Sequence, residues 1–129
     1  MKSKKIVAEM TLAAIAATAA FTAIGTASLA QAHAKIASAE PAPDSALPVA
    51  PKAIRLHFNE ALEPAFSKIA LFDAHQLAIA LPTVVVDKDD PKTMSATVPA
   101  LTLGTYTVRW TAMTHDGHKV KGQYSFTVK

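Results

Sequence analysis

The chain contains no cysteine. That one absence excludes disulfide staples, a thiolate metal site, thiol redox work and a cysteine nucleophile. Glycine is almost as scarce, with four in 129 residues, and none builds a phosphate-cradling loop or a G-x-S-x-G nucleophile elbow. Aromatic residues make up only 6% of the chain. What is present in quantity is alanine, valine, threonine and proline, a composition of short strands and turns.

The first segment has the grammar of an export signal. Lys2, Lys4 and Lys5 form a basic n-region, and Met10 to Leu29 is apolar or small apart from Thr and Ser, with no charge after Glu9. Its length is at the edge of a bilayer span. However, it is rich in Ala and Thr and runs into small residues instead of a basic flank, so a cleaved leader is expected and no membrane span after cleavage. Two cleavage sites overlap. Ala30-Gln31-Ala32 satisfies the A-x-A rule and would leave His33 first, whereas Ala32-His33-Ala34 satisfies it equally and would leave Lys35 first.

The predicted boundaries are therefore a signal peptide over 1–32 and one domain over 33–129. Losing the leader leaves ten basic and nine acidic residues, so the net charge drops from +3 to +1. A nucleic-acid partner is excluded on that ground, because phosphate binding needs a basic patch. The remaining 97 residues suffice for a single hydrophobic core.

Hydrophobic periodicity predicts an all-β domain. Ala53 to Phe58 alternates, with Ile54, Leu56 and Phe58 on one face. Tyr106, Val108 and Trp110 oppose Thr105, Thr107 and Arg109, and Tyr124, Phe126 and Val128 oppose Gln123, Ser125 and Thr127. Further strands are expected over Lys35 to Ala39, Lys68 to Asp73, Thr83 to Asp87 and Thr93 to Val98. The proline-rich stretch Glu40 to Pro51 reads as loop without regular structure, Phe72 to Ala80 shows no clear period, and Glu60 to Phe66 invites a helical turn that Pro64 keeps short. About seven short strands imply a small Greek-key β-barrel or an immunoglobulin-like sandwich.

The histidines carry the chemistry. In THDGHKVKG, residues 114 to 122, Asp116 and His118 are two apart, and Gly117 between them allows a tight turn. A carboxylate and an imidazole converging there make half of a metal site; an ordinary Asp-Gly turn is the plainer alternative. If His33 is the first residue, its amine and ring fill two further positions. Three nitrogens and one oxygen in tetragonal array suit Cu(II) by the Irving–Williams order. Cu(I) prefers sulfur, and the mature part has only Met94 and Met113.

The runs HAKIASAEPAPDSAL, LHFNEALEP, DPKTM, GTYTVRWTAMTHDGHKVKG and YSFTVK resemble the CopC family of periplasmic copper-binding and copper-resistance proteins, in order and across essentially the whole mature chain. The resemblance implies a Greek-key β-barrel that holds one Cu(II) through the amine and ring of His33 with Asp116 and His118. It also implies cleavage after Ala32, periplasmic location, and a carrier or buffer role beside a membrane copper transporter. Glu60 matches the family's acidic position after LHFN and is expected behind the ligands, as is His57. Some family members have a methionine-rich Cu(I) site; here FDAHQLAIA has His75 and no methionine, so none is expected. His115 is expected to point away from the metal. A monomeric binding protein, not an enzyme, is the resulting expectation. The alternatives are a histidine-brace copper monooxygenase, disfavoured by the small domain and the lack of an aromatic row for gripping a sugar chain, and a metal-free interaction module.

Overall fold

The computed structural model describes residues 34–129; the leader and His33 lie outside them. Nine strands follow one another: β1 (Ile36–Glu40), β2 (Ala46–Leu47), β3 (Ala53–Phe58), β4 (Lys68–Phe72), β5 (Ala78–Ile79), β6 (Val84–Val86), β7 (Thr93–Thr97), β8 (Gly104–Met113) and β9 (Lys119–Val128). A short 3-10 turn, Pro64–Phe66, sits between β3 and β4. Proline is accommodated there because the N–H it lacks would have no partner in a first turn.

Two sheets form. One has the order β1-β3-β7-β6, the other β2-β9-β8-β4-β5. They face each other as an open sandwich, so of the two architectures expected from the sequence the barrel is the one set aside: each sheet keeps its own edge strands. All pairings are antiparallel except β2 with β9.

Alternation places the core between the sheets. Ile54, Leu56 and Phe58 of β3 and Met94 and Ala96 of β7 face Leu71 of β4, Tyr106 and Val108 of β8, and Phe126 and Val128 of β9, all buried. Each large side chain so buried contributes about 1.5–3 kcal/mol. Met94 is fully buried among these residues, so its thioether packs in the interior. β4 reads as apolar on both faces because its outward Phe72 is capped by the Arg109 guanidinium, 4.2 Å from the ring centroid.

Two short strands correct the expected loops. β2 lies inside the proline-rich stretch, where Ala46 and Leu47 run parallel to Thr127 and Val128. It is held by Asp44 N–H to Ser125 O (2.7 Å), Thr127 N–H to Ser45 O (2.8 Å) and Lys129 N–H to Leu47 O (2.9 Å). Two residues of edge pairing have no period to read, and only the presence of β9 creates them. β5 arises likewise, from Ala78 and Ile79 opposite Phe72 and Leu71.

The fold gathers several segments at one end of the sandwich. Asn59, just after β3, accepts from Lys35 N–H through Oδ1 (2.7 Å) and donates to Lys35 O (3.0 Å). Leu62 bridges Thr114 at the end of β8, and its N–H donates to Pro91 O (2.9 Å). Glu63 N–H donates to Met113 O (2.7 Å). The start of the described chain, the turn before β7 and the β8–β9 turn are thereby tied to one connecting segment, Asn59 to Glu63.

Candidate metal centre

The β8–β9 connection is Thr114 to His118. Thr114 N–H donates to His118 O and Gly117 N–H to Thr114 O, both at 3.0 Å, and Gly117 takes φ 86°, the left-handed region a residue with Cβ avoids. The turn folds Asp116 back onto His118. Asp116 Oδ2 lies 2.9 Å from His118 Nδ1, with both side chains about half exposed at 55% and 49%. The two side chains expected to converge do meet, and the turn at Gly117 is what brings them together.

Thr114 completes the arrangement. Its side chain is buried, at 2% exposure, and its hydroxyl donates to Asp116 Oδ1. His118 N–H approaches the same oxygen at 3.4 Å. The Thr114 hydroxyl holds the Asp116 carboxyl below the ordinary aspartate range, against an opposing effect of burial, with the His118 N–H and ring adding smaller support. The carboxylate is therefore ionised and available as a ligand at neutral pH.

The donor set fits a divalent ion. Imidazole nitrogen and carboxylate oxygen each bind first-row divalent metals at about 2 Å, and two such donors at right angles lie about 2.8 Å apart. The 2.9 Å contact between Nδ1 and the ionised Oδ2 is a hydrogen bond in which the His118 ring N–H donates, and an ion entering here would take the place of that proton. Among the described residues no group of three His, Cys, Asp or Glu side chains converges. Ala34, the first described residue, is buried against the core. His33 lies outside the described residues.

The other histidines have separate engagements. His115 meets Glu63 Oε1 through Nδ1, at the connecting segment. His57 stands on the outward face of β3, opposite Ser38 and Thr93. Thr93 Oγ1 gives its single proton to Asp90 Oδ2 (2.7 Å). Its 2.8 Å contact with His57 Nδ1 therefore requires the ring nitrogen to donate. His57 is thus protonated on Nδ1, with Asp90 Oδ2 3.4 Å away. These residues line an open cleft of about 320 Å³ with Ser38, Glu40 and Arg55. Glu60 lies half-buried on the connecting segment, between Asn59 and the Leu62 bridge. His75 is an exposed residue of the turn before β5, its N–H donating to Asp73 Oδ1 (2.8 Å).

Sequence reasoning passed over Thr114 and Glu63. Thr114 had a local signal, a hydroxyl residue two before an Asp-Gly turn. Glu63 had none, because its partner His115 is 52 residues away.

Comparison with known proteins agrees with this architecture. The CopC domain family matches residues 36–129. Copper resistance protein C of Pseudomonas syringae pv. tomato is 40% identical over 107 residues, covering 78% of this chain and 84% of that protein. The crystal structure of CopC from Methylosinus trichosporium OB3b superposes with a TM-score of 0.71 at 30% identity, over 75% of this chain and 94% of that one. PcoC, a copper resistance protein from Escherichia coli, superposes with a TM-score of 0.67 at 36% identity, over 74% and 99% of the two chains.

Proposed function

The chain belongs to the CopC family, and from that premise we propose that it is a periplasmic copper carrier or buffer whose mature form, beginning at His33, holds one Cu(II). Asp116 and His118 supply one oxygen and one nitrogen, and the amine and ring of His33 supply two more nitrogens. That set matches the tetragonal N,O coordination Cu(II) favours. The observation that carries the reading is the 2.9 Å approach of Asp116 Oδ2 to His118 Nδ1 on a turn fixed by Gly117. Support for His33 as the third residue comes from the chain's entry at the same end. Lys35 is bonded to Asn59, and Leu62, three residues further on, bridges Thr114.

The protein's own contribution is to hold and release the ion. Two donors on one short turn and two on the chain terminus let copper be captured by ordering the terminus and given up by loosening it. We assign the recipient to a membrane copper transporter.

Two measurements test this. The intact mass of the exported protein should correspond to residues 33–129. Titration with Cu(II) should then give one tight site, weakened by at least about 100-fold in both Asp116→Ala and His118→Ala, since each removes a direct ligand whose effect exceeds the 10–100-fold typical of outer-shell partners. A mature form beginning at Lys35, or variants that bind like the wild type, would refute the assignment.

A further inference from the structure

We infer that Thr114, which no ligand set includes, is the positioning residue that decides which oxygen of Asp116 meets the metal; the inference rests on the Cu(II) reading above. A surface aspartate on a turn samples several rotamers, and either of its oxygens, or both, could bind a cation. Here the choice is removed. Thr114 is buried at 2% exposure and pinned on three sides by backbone: the Leu62 bridge, its own N–H to His118 O and its carbonyl to Gly117 N–H. Its hydroxyl donates to Asp116 Oδ1 and also lies 3.4 Å from His118 O.

Being shielded from water, this donor competes with little solvent. The His118 N–H directed to the same Oδ1 adds to the bias. Oδ2 is consequently the oxygen turned toward His118 Nδ1, at 2.9 Å. Asp116 therefore binds through one oxygen, and its approach is set by a side chain that never touches the ion. Threonine suits this position: the methyl group fills the buried site while the hydroxyl carries the bond.

The test uses the mature domain with Thr114→Val, which keeps shape and removes the donor, Thr114→Ser, which keeps the donor, and Thr114→Ala in case the valine form does not fold. Loss of an outer-shell partner of a metal ligand typically costs 10–100-fold in affinity. That weakening is expected for Val and Ala, with an altered Cu(II) paramagnetic resonance spectrum, and Ser should recover most of it. In metal-free protein, three-bond couplings should report one Asp116 χ1 rotamer in the wild type and averaging in the Val variant. A folded Val variant with wild-type affinity overturns the role of Thr114, with or without averaging. A wild-type domain that binds no copper overturns the function beneath it, whatever the couplings show.

Discussion

At the scale of single residues, the contrast between Thr114 and Tyr124 is instructive. Both carry a buried hydroxyl, Thr114 in the β8–β9 connection and Tyr124 on β9, but Tyr124 OH has no hydrogen-bond partner among the described residues. Burial alone raises its pKa from 10.0 to about 12, because the phenolate would lose its hydration. An unsatisfied buried hydroxyl does not stabilise the fold. Tyr124→Phe should therefore match or exceed wild-type stability at pH 7, by up to about 1 kcal/mol. The sign of the alkaline effect follows from linkage. The unfolded tyrosine loses its proton near 10 and the folded one near 12, so its contribution favours folding below pH 10 and is lost as pH rises through that interval. Urea midpoints at pH 7 and 11 would check this. The phenylalanine form should show the smaller alkaline decline, and a clear loss at pH 7 would mean the hydroxyl has a partner after all.

At the scale of elements, the β8–β9 pair is both the longest ladder and the support of the candidate site. Its register puts Trp110 opposite Gly122, and the indole lies where a side chain on Gly122 would be: an added Cβ would stand 2.5 Å from Cζ2 and 2.8 Å from Cε2 of the ring. The indole is also packed against Phe58 edge-on, with centroids 5.2 Å apart and planes at 74°. Gly122→Ala should cost about 1–3 kcal/mol by overpacking and change the near-ultraviolet tryptophan signal; an unaltered denaturation midpoint would show that the indole swings aside freely. The long strands were legible in the sequence because each has one dry face and therefore a period of two. Trp110 and Tyr124 were assigned to the inward face correctly, and the Gly122 cradle was not, since glycine has no side chain to mark its face. β2 and β5 left no trace because they exist only as edges of other strands.

At the scale of the whole molecule, residues 33–129 carry a net charge of +1, which offers no strong field to attract or repel ions, so under the copper reading proposed above affinity would come from the ligands themselves. Those ligands are protonated in acid. A free terminal amine titrates near 8 and histidine near 6.5, and copper must displace those protons. Apparent Cu(II) affinity should consequently fall by at least about tenfold from pH 7.5 to pH 5.5, measured by competition with a chelator of known proton affinity. A flat profile would argue against an amine and two imidazoles.

The amino-acid sequence by itself determined the all-β class, the inward and outward faces of β3, β8 and β9, and the Asp116–His118 pairing, because all three depend on neighbours within a few positions. The resemblance carried in the D-G-H motif and its flanks pointed to copper. Only the tertiary structure decided that the two sheets remain an open sandwich and that the proline-rich loop contributes a parallel edge. It also brought Glu63 to His115, gave His57 its Asp90 and Thr93 partners, and buried the Thr114 hydroxyl against Asp116. Most of these are contacts between residues tens of positions apart. They depend on the entropy of closing loops being offset by a shared core, and no local pattern in the chain records which closures that core selects.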